Sequence, residues 1–151
     1  MEVKVVKKVD FNLIKKLVFL EKEAFGQGGL DEWTLPVFIR YGKVYILEED
    51  GKIEGLAEFI RDWNEIKRVF LVSFSICQDK RGKGLGKFFL TKIIELLREE
   101  GLKEVKTTVS PVNEAALNLY EKLGFVRTDY LKNEYGPGNN RLLMKLSFGE
   151  D

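Results

Sequence analysis

Between an apolar run at Arg68 to Cys77 and an amphipathic stretch at Lys87 to Gly101 lies the segment Arg81-Gly82-Lys83-Gly84-Leu85-Gly86. Three alternate glycines let the backbone approach a ligand closely and turn successive N–H groups inward at a helix N-terminus, where the macrodipole favours anions. Lys80, Arg81, Lys83 and Lys87 add positive charge around that cradle. The chemistry suits a phosphate or pyrophosphate. Two phosphate-binding patterns fail on spacing: no Gly-Lys is followed by Ser or Thr after a P-loop gap, and G-x-G-x-x-G counted from Gly82 meets Lys87 where its third Gly belongs. The sequence has no His, which removes the commonest general base and every Ser-His or Cys-His nucleophile. A base is left to a carboxylate, a tyrosine or water. Cys77, closing an apolar run with only a weak S–H donor, reads as buried packing rather than a nucleophile.

At 151 residues the chain is expected to form a single domain over residues 1–151 around one core. Lys and Arg number 25 against 24 Asp and Glu, a net charge of +1, which leaves no excess of cations for a nucleic-acid backbone. No nucleic-acid partner is expected. The single Cys77 forms no intrachain disulfide, and without His no imidazole–thiolate metal cluster forms, so no metal is expected and a reducing cytoplasm fits best. The opening MEVKVVKKVD lacks the apolar core of a signal peptide, and runs such as Leu17 to Leu20 are far short of the ~20 residues of a membrane span. No membrane partner is expected.

These residues must be positioned by elements that the pattern also outlines. Val3, Val5 and Val6 read as a short strand; Asp10 caps a helix whose Phe11, Ile14, Leu17, Val18 and Phe25 recur at helical spacing and which ends at Gly26-Gln27-Gly28-Gly29. Thr34 to Tyr41 reads as a second short helix with Thr34 as cap, Pro36 in its first turn and Gly42 as stop. Lys43 to Glu48 and Ile53 to Ile60 are strands joined by a hairpin at Asp50-Gly51. Arg68 to Cys77, whose only polar side chains beyond Arg68 are Ser73 and Ser75, is expected to be a strand buried on both faces. A helix over Lys87 to Gly101, a strand at Glu104 to Val109, a helix at Asn113 to Leu123 and strands at Phe125 to Tyr130 and Arg141 to Phe148 complete a β-α-α-β-β-β-α-β-α-β-β order.

The loop resembles the acyl-CoA pyrophosphate loop of the GNAT superfamily of N-acetyltransferases, Arg/Gln-x-x-Gly-x-Gly/Ala, here Arg81-x-x-Gly84-x-Gly86. A second element of that family, Asn-x-x-Ala-x-x-Leu-Tyr-x-x-x-Gly-Phe after a strand, stands at Asn113, Ala116, Leu119, Tyr120, Gly124 and Phe125. The resemblance implies an α/β fold of GNAT type: a central, mostly antiparallel mixed sheet splayed between strands 4 and 5 and flanked by about four helices. It implies acetyl-CoA as co-substrate, transfer of its acetyl group to an amine acceptor, and a monomer or homodimer. Phe74, Ser75 and Ile76 would bind the pantetheine arm, with a backbone N–H available to the thioester carbonyl. Arg81, Gly82, Lys83, Gly84, Leu85, Gly86 and Lys87 would hold the pyrophosphate; Asn113 would contact the cofactor, and Tyr120 would bind it and protonate the departing thiolate.

Each role has a plainer alternative. Tyr120 sits at a helical spacing that buries it in any case, Asn113 suits a helix N-cap, the lysines suit a solvated face, and Gly124 a helix C-cap. Many relatives that acetylate protein N-termini carry a Glu on the fifth strand, five residues before the motif Asn; this sequence has Thr108 there. Glu58 on the third strand remains as a base, directly or through water, as does a water chain ending at Tyr130 or Tyr135; Glu54 and Glu58 share a face that would otherwise be solvent-exposed. Asn133-Glu134-Tyr135, a Gly-containing loop and Leu142-Leu143-Met144 resemble the end of the ribosomal-protein alanine N-acetyltransferase group, with Tyr135 recognising the acceptor; Thr107-Thr108-Val109 with Pro111 also resembles members that acetylate free diamino acids. A peptide N-terminus, a small amine such as a diamino acid or polyamine, and non-catalytic acetyl-CoA sensing all stay open.

Overall fold

A computed structural model describes residues 1–148. The elements are β1 (Glu2–Val5), α1 (Phe11–Phe25), α2 (Leu35–Tyr41), β2 (Lys43–Glu49), β3 (Lys52–Arg61), β4 (Arg68–Ile76), α3 (Leu85–Glu99), β5 (Glu104–Val109), α4 (Glu114–Lys122), β6 (Val126–Leu131) and β7 (Arg141–Ser147), with single 3₁₀ turns at Gly26–Gly28 and Gln78–Lys80. The expected order of strands and helices is the observed one. The strands form a seven-stranded, mostly antiparallel sheet in the order β1-β2-β3-β4-β5-β7-β6, with β4 and β5 running parallel. Among the described residues no helix is long and apolar enough to cross a membrane.

The chain condenses into two compact units, Met1–Ile60 with Val72–Ile93, and Arg61–Leu71 with the segment from Ile94 onward. In the first, Asp10 caps α1 through its Oδ2, which accepts from the Leu13 amide at 2.9 Å. Ile14, Leu17 and Val18 turn inward onto Leu35, Ile39, Val44 and Leu56. Phe11 and Phe25, expected on that face, lie exposed, and Glu21 occupies the buried position instead. Thr34 does not cap α2 with its side chain. The task falls to Asp31, whose Oδ1 accepts from the Trp33 and Thr34 amides and whose carbonyl accepts from Leu35, while Thr34 Oγ1 bonds back to Asp31. Those bonds, the Thr34 amide first, hold the Asp31 carboxyl below its ordinary range. The β2–β3 hairpin turns at Asp50 and Gly51 with φ of 52° and 76°, as a type I′ turn requires.

In the second unit, the start of β4 pairs with β5 over four residues, Arg68↔Glu104 to Leu71↔Thr107. β5 pairs in turn with β7, and β7 with β6, whose register shifts between Arg127 and Asp129. Asp62 and Glu104 both pair with Arg68 and anchor the first residue of β4. β4 is not buried on both faces. Val69, Leu71, Ser73 and Ile76 are buried while Phe70, Val72, Phe74 and Ser75 are only half-buried. The aromatic and β-branched residues that suggested a doubly covered strand also suit a face covered in part, as where Phe74 packs on Phe89 at 5.6 Å between ring centroids.

Gly42 closes α2, its amide bonding to the Phe38 carbonyl at 2.9 Å. A Cβ built there would lie 2.5 Å from the Phe59 carbonyl oxygen and 3.0 Å from that of Phe38, both backbone atoms. Gly42→Ala should therefore lower stability by about 1–3 kcal/mol, seen as a lower urea midpoint at unchanged m-value. A midpoint equal to that of the parent chain would contradict so close an approach of α2 to β3.

Candidate functional site

The glycine segment folds as a cradle. Gly82 and Gly84 have φ of 76° and 78°, a conformation that disfavours other residues, and a Cβ on either would meet nothing within 4 Å. Gly84 offers the carbonyl that accepts the Phe88 amide at 3.1 Å, so α3 starts there and the N–H groups of Leu85, Gly86 and Lys87 belong to its first turn, where intrahelical acceptors are lacking. Arg81 is tied back to the strand, its Nε donating to the Ile76 carbonyl at 3.0 Å. Lys80 approaches Glu49 at 4.0 Å, while Lys83 and Lys87 stand exposed beside the loop. Open space over the glycines, first-turn amides and free cations together fit a pyrophosphate.

Upstream, the backbone of β4 divides by edge. The Cys77 amide donates to the Glu54 carbonyl of β3 at 2.8 Å, so by alternation Ser75 and Ser73 turn their backbone groups to β3, and Phe74 and Ile76 turn theirs to the opposite edge. Side chains alternate as well. Phe74 and Ile76 lie on the side of Phe89, where a Cβ on Gly55 would be 3.0 Å from the Ile76 and Phe89 side chains.

Ser73 faces the other way, into a buried polar cluster. Its Oγ donates to Glu21 Oε1 at 2.8 Å, and Glu21 Oε2 accepts the Leu30 amide at 3.0 Å. Glu21 and Glu58 are both 0% exposed, and Glu54 is 6% exposed. The face expected to be solvated is thus interior. Neither carboxyl oxygen of Glu58 has a partner in hydrogen-bond geometry. Burial holds the Glu58 carboxyl well above the usual carboxylate range, the neighbouring Glu21 pushes the same way, and Ser73 opposes them. Sequence reasoning singled out Glu58 but missed Glu21; the available signal was its position on the α1 face that carries Ile14, Leu17 and Val18. The isolated Ser73 in an apolar strand was the matching cue.

In the second unit Tyr120 is 6% exposed and packs on Phe125 at 5.2 Å between ring centroids. Desolvation pushes its phenol up to about 12, with a Thr107 side-chain bond opposing. Thr107 itself donates to the Leu71 carbonyl at 2.9 Å. Asn113 is the N-cap of α4, its Oδ1 accepting from the Ala116 amide at 3.1 Å, which leaves its NH₂ unused by the cap. Thr108, where a Glu was looked for, has its Oγ1 3.4 Å from the Tyr135 hydroxyl. Tyr135 is exposed, with the Arg141 guanidinium 4.9 Å from its ring centroid, and Tyr130 is exposed as well. Among the described residues no group of three His, Cys, Asp or Glu side chains is placed to hold a metal.

The family model described as acetyltransferase (GNAT) matches residues 14–125. The chain is 33% identical over 88 residues to the L-amino acid N-acyltransferase MnaT of Escherichia coli (strain K12), covering 56% of this chain and 51% of that protein. It is 30% identical over 87 residues to the N-alpha-acetyltransferase MAK3 of Arabidopsis thaliana, covering 58% of this chain and 46% of that protein. The chain thus spans about half the length of these curated relatives. The solved ribosomal-protein-S18-alanine N-acetyltransferase from Escherichia coli superposes with a TM-score of 0.81 at 20% identity, covering 99% of this chain and 96% of that one, which is a likeness of fold.

The buried Glu58 makes a thermodynamic statement. An unfolded Glu titrates near ~4.3, so above that pH the folded chain holds the proton more tightly than the unfolded one, and stability falls as pH rises toward the folded value. Glu58→Gln removes that dependence. Urea midpoints measured as pH rises above the ordinary Glu range should move in favour of the Gln variant. Parallel curves would show that Glu58 is not so perturbed.

Proposed function

The chain belongs to the acetyltransferase (GNAT) family, and from that premise we propose that it transfers the acetyl group of acetyl-CoA to a primary amine by direct attack on the thioester, the acceptor being a protein or peptide N-terminal α-amine. The observation that carries this reading is Tyr120: a buried phenol whose pKa of about 12 keeps it protonated at neutral pH, at the motif position of the leaving-group acid. Residues 1–151 act as one acetyltransferase domain, in the cytoplasm. Gly82 to Lys87, with Arg81, hold the pyrophosphate, and Phe74, Ser75 and Ile76 take the pantetheine arm, the amides of Phe74 and Ile76 being the two turned away from β3. Asn113 has its NH₂ left for the co-substrate.

In the reaction a C–N bond forms as the C–S bond breaks. The amine's proton leaves through water to Glu58, and the thiolate receives the Tyr120 proton. A carboxylate of ordinary pKa is a weak acceptor for an amine proton; one raised by burial is better matched. An α-amine near ~8 is also far easier to deprotonate than a lysine amine near ~10.4. The names of the two sequence relatives support the α-amine as well, since an N-alpha-acetyltransferase and an L-amino acid N-acyltransferase both imply it. Tyr135, beside Thr108, contacts the acceptor's first residues. A small amine such as a diamino acid or polyamine is the competing acceptor, and a non-catalytic acetyl-CoA sensor the competing function.

CoA release with an N-terminal alanine peptide, free amino acids, lysine and spermidine discriminates among these. The α-amines should give the highest kcat/KM; acetyl-CoA binding without turnover on any amine would overturn the enzyme reading. Tyr120→Phe should lower kcat by about 10–100-fold with little change in acetyl-CoA affinity, because a thiolate of pKa ~8.5 leaves readily even without a proton donor. Unchanged kcat would remove Tyr120 as the acid. Gly84→Ala should instead weaken acetyl-CoA, seen as a raised KM at near-normal kcat; an unaltered KM would detach the cradle from the pyrophosphate.

A further inference from the structure

A cavity of about 660 Å³ opens between α1 and the β2–β3 hairpin, wholly within the first unit and lined by none of the residues assigned above to acetyl transfer. Its volume is within the roughly 300–1,000 Å³ of small-molecule sites. Leu13 and Leu20 of α1, Ile46 of β2 and Ile53 of β3 give it apolar walls, and the exposed Phe19 stands at its rim. Into this setting the fold places Glu54, 6% exposed. Among the described residues its carboxyl accepts no hydrogen bond and joins no ion pair, although its backbone carbonyl is taken by Cys77. The charge reaches its neighbour: after burial, Glu54 is the largest influence raising the Cys77 thiol.

The Glu54 side chain lines the cavity, and the described residues supply its carboxyl with no partner there. The other acidic groups at the cavity do not share its position. Glu48 is paired with Lys4 at 2.6 Å, and Asp79 is exposed. Lys15, Lys16 and Lys52 line the cavity as exposed side chains, Lys15 lying over the Phe11 ring. Their charges work against any cation, so binding rests on direct hydrogen bonding to Glu54, which none of these lysines makes. We propose that this cavity binds a primary ammonium or guanidinium bearing one apolar aliphatic or aromatic group, the cation donating hydrogen bonds to Glu54 and the apolar group lying along Leu13, Leu20, Ile46 and Ile53. The site is separate from acetyl transfer and does not depend on that function.

Titrating 2-phenylethylammonium chloride into the full chain, followed by amide ¹H–¹⁵N spectra, tests it. Expected are saturable shifts centred on Gly51, Ile53, Glu54 and Cys77, with a dissociation constant below about 1 mM, and at least about tenfold weaker binding for neutral 2-phenylethanol and for Glu54→Gln. If Glu54→Gln does not fold, Phe19→Ala, altered at an exposed rim position, should still weaken binding severalfold. Tyr135→Ala, which removes the proposed acceptor contact, should leave these shifts intact, which separates the cavity from acceptor binding. The proposal is overturned by the absence of saturable shifts at these amides, by equal binding of amine and alcohol, or by a folded Glu54→Gln variant that binds as well as the parent.

Discussion

The hydrogen bonds from Ser73 Oγ and the Leu30 amide to the Glu21 carboxylate join three segments of the first unit: α1, β4 and the connection leading to α2. A carboxyl withdrawn from water is tolerable only if its oxygens are occupied, and leaving such a buried group short of a hydrogen bond typically costs about 1–3 kcal/mol or more. Each of its two oxygens has one donor, from a different segment. That requirement fixes Leu30, and with it the path of the loop that Asp31 then ends by capping α2. It also fixes the facing of β4, because Ser73 must point toward α1. Phe74 and Ile76 are then obliged to point the other way, and Phe74, Ser75 and Ile76 acquire the backbone alternation on which the pantetheine assignment rests.

Glu58 is placed by the same arrangement. It shares the interior with Glu21 and Ser73, yet both donors there are committed to Glu21, and its own oxygens have none. Burial first, and the neighbouring Glu21 after it, make the Glu58 carboxyl hold its proton longer than a solvated one.

Much of this order was legible in the sequence because it rests on local signals. Asp10, the Asp50-Gly51 turn, Gly42 and Gly124 act within a few residues of themselves, and the strands and helices they delimit fall where periodicity puts them. The glycine cradle was legible for the same reason: positive φ at Gly82 and Gly84 is a local demand. What was not legible depends on contacts across long stretches of chain. Ser73 and Glu21 are 52 residues apart, and nothing near either residue announces the pairing. The burial of Glu54 and Glu58 likewise comes from α1 packing over β3, so an acidic face that looked solvated by composition proved interior. Asp31 was overlooked in favour of Thr34 because both are good caps, and only the fold shows that the two side chains bond to each other.

The missing histidine gives these long-range contacts their functional weight. Without an imidazole, proton transfer near neutral pH has to be built from groups whose ordinary pKa values are far from 7, and burial is the means available. Burial acts on the two candidates in the same direction but with opposite consequences. For Tyr120 a higher pKa secures the protonated acid, at some cost to its readiness to give the proton up, which a thiolate leaving group tolerates because it departs readily without help. For Glu58 a higher pKa makes a better base, yet one that reaches an amine only if the amine's own pKa is not far above. If Glu58 is the base, the burial that raises its carboxyl makes it a stronger proton acceptor than a solvated carboxylate, which suits the proposed α-amine acceptor.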